Sequence, residues 1–208
     1  AIFTLANNLD MTVDFSNSSG MWATNRLAMA PTGTGFVPIG NENDSFTGRF
    51  DGQGHTITGF TVYRDANYGG LFGYNEGMVS HVGMVDVDVS GANNVGGLVG
   101  VNDGLVDDSY VTGMVSGGAW GGGLVGTNGN NNMGVINDSH AIAGVSVGQT
   151  DGSSKVGGLV GSNYGNIAGS YADGEVVGDS GSQKLGGLVG SNGGIISRSY
   201  ANNDVRGD

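Results

Sequence analysis

The chain has 208 residues, with 44 glycines, 2 prolines and no cysteine, and its 19 acidic against 7 basic side chains give a formal charge of −12. So little proline excludes a collagen-like triple helix, and 38% hydrophobic against only 12% charged residues excludes a disordered chain. The acidity argues against nucleic acid or an anionic lipid surface as partner, the missing cysteines exclude disulfides and thiolate metal sites, and no apolar run reaches the roughly 18 residues of a membrane-spanning helix.

The chain begins at Ala1 without an initiator Met or a basic-then-apolar leader, which leads us to expect either a processed chain or a segment of a longer one. TLANNLDM from Thr4 is followed by a polar stretch from Ser16 to Gly35 that fits no repeat and is expected to cap or extend over the first coil. FVPIG from Phe36 and SFTGRFDGQGHTITGFTVY from Ser45 then lead into repeats. GGLFG starts at Gly69, and GGLVG starts at Gly96, Gly122, Gly157 and Gly186, at steps of 27, 26, 35 and 29 residues. Self-similarity at such a period signals a solenoid or array. The two longest shared stretches are KVGGLVGSN from Lys155 and KLGGLVGSN from Lys184.

Each period has a second half, seen as DGLVDDSYVTG from Asp103, MGVINDSHAIAG from Met133, YGNIAGSYADG from Tyr164 and GGIISRSYAN from Gly193. Asn75, Asn102, Asn128, Asn163 and Asn192 join the halves, each two residues past the last glycine of its motif. Several glycines per period disfavour helix, since each costs about 1 kcal/mol relative to alanine there. Strands of four to six residues between Gly and Asn turns fit better, often with a third apolar piece such as GEVVGDS from Gly174. At roughly 3.3 Å per residue, a period of about 26 residues closes a coil of about 86 Å contour, enough for two or three faces.

Stacked coils place like residues over like, so Leu71, Leu98, Leu124, Leu159 and Leu188 are expected to form one apolar column. Leu159 and Val160 are adjacent and in a regular strand would point to opposite faces. Either a bend turns both inward or a column of Val99, Val125, Val160 and Val189 is exposed, and the rarity of large exposed apolar patches favours the first.

The order of these segments, with GGLFGYN followed by GGLVG copies and SYVTG-like halves, resembles secreted bacterial and archaeal proteins that carry the GLUG motif. The resemblance implies a parallel β-helix found in surface adhesins and other large exported proteins, and in immunoglobulin A peptidases whose repeats flank the catalytic part. It attaches no catalytic residue to the motif. Two inserts depart from the pattern, GNNNMG from Gly129 and GQTDGSSK from Gly148, and as loops on one face they are candidate recognition sites.

His140 takes the place held by Tyr110, Tyr171 and Tyr200, while His55 and His81 lie in other contexts, so no zinc-ligand spacing arises. Asp107, Asp108 and Asp138, with Asp86 and Asp88 nearby, are the best case for acid/base chemistry on an acidic polysaccharide. Later coils carry Ala168, Gly169, Ser197 and Arg198 there instead, and cations are sparse and scattered, so solvation explains these acids equally well. The Gly-Gly-x-Gly-x-Asp calcium repeat is absent, which leaves calcium structural at most. The Asn column reads as a hydrogen-bonded turn ladder and the Tyr/His column as a ring stack, although an aromatic row could also meet glycans.

We therefore expect a single all-β domain over residues 1–208, a right-handed single-stranded parallel β-helix. Residues 1–44 form an irregular amino-terminal cap and first coil, 45–67 a lead-in coil, and 68–208 five repeats. The expected role is a non-catalytic structural or adhesive solenoid on a microbial surface, with no catalytic, cofactor-binding or metal residue assigned. Self-association is expected, end to end into a filament or laterally, because NNDVRGD lacks an obvious cap. A surface glycan or protein is a further expected partner. The rivals are a polysaccharide-active enzyme and an accessory segment of a secreted peptidase.

Overall fold

A computed structural model describes residues 1–12, 35–117, 119–147, 154–178 and 184–207. The polar stretch from Ser16 is thus almost wholly outside the described residues, as is the second insert over 148–153.

Strands from successive periods stack in parallel, and one coil shows the plan. Val99–Asn102 lies in sheet C, Leu105–Asp107 in sheet A, Tyr110–Gly117 in sheet B and Trp120–Gly122 in sheet D. Sheet A has seven strands from Ile2–Thr4 to Ile195–Ser197, and sheet B has eight, the last being Tyr200–Gly207. Sheet C has five strands and sheet D four, and all the named strand pairs are parallel. The protein is therefore a parallel β-solenoid. Ile2–Thr4 and Leu9–Asp10 already pair with Arg49–Asp51 and Thr56–Thr58, so the first residues extend sheets A and B.

Register follows the sequence copies. Val99 aligns with Val125, Val125 with Val160 and Val160 with Val189, while Val106, Ile136, Ile167 and Ile196 align in sheet A. Leu98 N donates to Leu124 O, Leu124 N to Leu159 O and Leu159 N to Leu188 O, at 3.0 to 3.1 Å. The leucine column is continuous. Leu98, Val99, Leu124, Val125, Leu159 and Val160 are all wholly buried in one core, because the Gly-Leu step is a bend between sheets D and C and turns both side chains inward. Burying each is worth about 1.5–3 kcal/mol, a gain that no isolated coil can make.

Two details differ from the sequence reading. A coil has four strands where the sequence suggests two and often a third, and the SYADG and GEVVG pieces are one eight-residue strand, Tyr171–Gly178. Sheet D also folds back against sheet C at backbone contact. A Cβ on Gly161 would lie 2.9 Å from N and O of Gly121 in sheet D, and 2.7 Å from Gly126 O on the neighbouring strand of sheet C. Only glycine allows that approach. The fold-back covers the second face of sheet C and leaves every residue of Val99–Asn102, Val125–Asn128 and Val160–Asn163 buried. On its other side sheet D meets the far half of sheet B, where Val145, Val156 and Val176 form a small second core with Leu185 against it.

Candidate functional site

The corner between sheets A and B is held in left-handed conformation by His81, Asp108, Asp138, Gly169 and Arg198, with φ of 52°, 42°, 44°, 60° and 49°. Asp tolerates this region better than most residues, which gives Asp108 and Asp138 a backbone role. At the amino-terminal end of this corner, Asp51, Gln53, Gly54, His81 and Asp108 line an open hollow of about 500 Å³. His81 Nδ1 lies 3.2 Å from Asp51 Oδ1, and His81 Nε2 lies 4.0 Å from Asp108 Oδ2. The backbone N–H of Gln53, then His81 and Arg49, hold the Asp51 carboxyl below its usual range against the opposing effect of burial, which makes it a poor proton donor.

The other expected acids do not converge on this hollow. Asp107 aligns with Ser80 and Asn137 in sheet A. Asp86 occupies an irregular register with φ of 52°, its N–H donating to Thr112 Oγ1 at 3.0 Å, in sheet B. Asp88 aligns with Met114 and accepts from Tyr63 Oη at 2.5 Å. Among the described residues no group of three His, Asp or Glu side chains is placed to hold a metal ion.

The histidine at position 140 is a member of the ring stack. Tyr110, His140, Tyr171 and Tyr200 lie at successive centroid distances of 5.1, 4.5 and 5.3 Å with interplanar angles of 6°, 5° and 7°. Burial lowers the His140 pKa and so favours neutral imidazole, with the nearby Asp108 charge opposing.

The asparagine column is a continuous amide ladder. Asn75, Asn102, Asn128 and Asn163 each donate through Nδ2 to Oδ1 of the next Asn at 2.7 to 2.8 Å, ending on Asn192. A second ladder was not read from the sequence. Ser139 Oγ accepts from Ser109 N, Ser170 Oγ from Ser139 N and Ser199 Oγ from Ser170 N, at 3.1 to 3.2 Å. Each serine hydroxyl also donates to the carbonyl two residues before it. The signal was the Ser that precedes every ring of the aromatic column.

The first insert is tethered. Asp103, almost wholly buried, accepts from Tyr74 Oη at 2.6 Å, Asn131 N at 3.0 Å and Asn131 Nδ2 at 2.8 Å. Burial and then the bond to Asp103 push the Tyr74 phenol up to about 12. Further along the same edge, where strands of sheet D begin and those of sheet C end, Lys155 Nζ sits 5.5 Å from the Trp120 ring and 5.8 Å from the Tyr164 ring. It donates to Tyr164 Oη at 3.3 Å, and Lys184 aligns with Lys155 on the next coil.

The GLUG motif matches residues 91–116 and 152–177. Halomucin of Haloquadratum walsbyi is 38% identical over 101 residues, which covers 46% of this chain and 1% of that protein. A candidate Gly-rich membrane protein of Evansella cellulosilytica is 40% identical over 67 residues, covering 30% of this chain and 8% of that one. The chain therefore spans a small fraction of the length of either relative. A crystal structure of a candidate immunoglobulin A1 protease from Bacteroides ovatus superposes with a TM-score of 0.63 and 18% identity, covering 99% of this chain and 70% of that one, a likeness of fold alone. The chain carries the GLUG motif, in two matched copies, on a parallel β-solenoid.

Proposed function

We propose that the chain is a non-catalytic structural and adhesive solenoid of a microbial cell surface, acting as a stiff spacer that presents a repetitive face. The observation that carries this reading is the unbroken run of ladders. Leucine and asparagine columns run through the repeats, and serine and aromatic columns join them from Ser109 and Tyr110 onward, so these side chains are committed to holding coil to coil. Axial backbone hydrogen bonds give such a stack its stiffness. The likeness to halomucin supports a surface location, as does the acidic balance.

End-to-end association into a filament is part of this proposal. Ile195, Tyr200 and Val205 are exposed on the last described coil, a surface suited to stacking against a further coil, of the same chain or of a second copy. Electron microscopy and size-exclusion chromatography across millimolar salt and calcium test it, with fibres expected and persistent monomer counting against it. The polysaccharide-cleaving alternative requires product release from acidic glycans that is lost in D107N/D108N, and absence of turnover across a broad glycan panel retires it.

A further inference from the structure

We propose that the surface around Lys155 and Lys184 binds an acidic saccharide, its carboxylate held by the two ammonium groups and a sugar face resting on Tyr164. The inference deepens the adhesive reading above and rests on it for its biological sense.

Lys155 and Lys184 are the only lysines in a chain of charge −12. They stand directly in register on neighbouring strands, Lys155–Gly157 and Lys184–Gly186, about 4.8 Å apart at the backbone. Like charges placed opposite each other across a strand pair are unfavourable, and a carboxylate on adjacent strands is the ordinary remedy. Among the described residues neither lysine has one within ion-pair distance, although the chain has acids to spare. An external anion relieves that repulsion.

The surroundings select the class of anion. Trp120 precedes Lys155 in the same column and lies under its ammonium, which fixes where the charge sits. These three side chains alternate along their strands with Gly121, Val156 and Leu185, so they face away from the small core. Tyr164 is 41% exposed, and its ring lies close against Gly193, so a broad aromatic surface stands beside the two cations. Lys155 is placed at the phenol by its 3.3 Å bond to Tyr164 Oη, and the Ser162 hydroxyl, then Lys155 and more weakly Lys184, lower the Tyr164 pKa. An aromatic face next to a pair of ammonium groups suits a ring that is apolar on one side and carries a carboxylate at its rim. The net negative field of the chain repels long polyanions such as nucleic acid, while a short, sparsely charged and hydroxyl-rich chain meets little of it.

Isothermal titration calorimetry on the intact chain tests this with tri-galacturonate, its methyl ester and maltotriose. Tri-galacturonate is expected to bind with an affinity that weakens as salt rises, and the ester and the neutral sugar to bind about tenfold more weakly or not at all. K184Q, at an exposed position, is expected to keep the thermal transition and lose about tenfold in affinity, with K155Q losing at least as much. The proposal is overturned by no binding at roughly millimolar sugar. Equal binding of the uncharged probes, equal displacement by sulfate at matched ionic strength, or undiminished affinity in folded K184Q overturns it too. None of these results bears on whether the chain forms rods or fibres, which microscopy decides separately.

Discussion

Asn102 Nδ2 donates to Asn128 Oδ1 at 2.8 Å, and both side chains are wholly buried. Asn128 passes the bond on to Asn163 at 2.8 Å. Asn128→Ala therefore removes both ladder bonds, together with those from Asn128 Nδ2 to Gly134 O and Asn166 O, and leaves Asn163 Oδ1 without its Asn donor, at a cost of about 2–4 kcal/mol. Asn192→Ala, at the exposed end of the ladder, should cost about 1 kcal/mol or less. Urea unfolding of both variants checks the ranking.

Gly161→Ala drives a methyl into the backbone of Gly126 and Gly121 and should destabilise by about 1–3 kcal/mol or more. Gly144→Ala meets only the sulfur end of Met114, a flexible and exposed side chain, and should be close to neutral. Thermal unfolding that ranks the two alike would contradict the close stacking of sheets C and D.

Replacing His140 tests the ring stack through pH. The folded-state pKa is lowered by burial, so below the ordinary histidine value the unfolded chain takes up a proton that the folded chain does not. The stability this residue contributes is full above about 6.5 and declines as pH falls below it. His140→Tyr completes the tyrosine column and should flatten the loss of stability between about pH 6.5 and 5 relative to the parent chain. Comparing the two chains cancels the carboxylates common to both.

At the alkaline end Tyr74 behaves in the opposite sense. Its phenol is raised to about 12, so the unfolded chain ionises first and stability falls as pH rises from about 10. Tyr74→Phe should lessen that fall, and Asp103→Ala should in addition free the 129–134 insert, raising proteolysis there by a measurable factor.

The copies of GGLVG made the solenoid, the leucine column, the asparagine ladder and the place of His140 readable, because each depends only on like residues lying over like. What could not be read depends on where the chain bends. Leu159 and Val160 share a core because a corner falls between sheets, and short glycine-rich strands carry no alternation to mark it. The fold-back of sheet D on sheet C is a backbone contact without side chains to announce it. Asp86 and Asp88 lie within sheet B while Asp108 sits at the corner before it, although the stacking of coils leads us to expect them near one another. Lys155 and Lys184 were visible as a repeated spelling, but their closeness to Tyr164 and Trp120 arises only when one strand's beginning meets another's end.

Methyl-to-methyl nuclear Overhauser spectroscopy on leucine-labelled protein tests the central claim most directly, because neighbouring coils stand about 4.8 Å apart. In-register stacking predicts consecutive cross-peaks linking Leu98 to Leu124, Leu124 to Leu159 and Leu159 to Leu188. Absence of the Leu124 to Leu159 peak, or peaks that join Leu98 directly to Leu159, would contradict it.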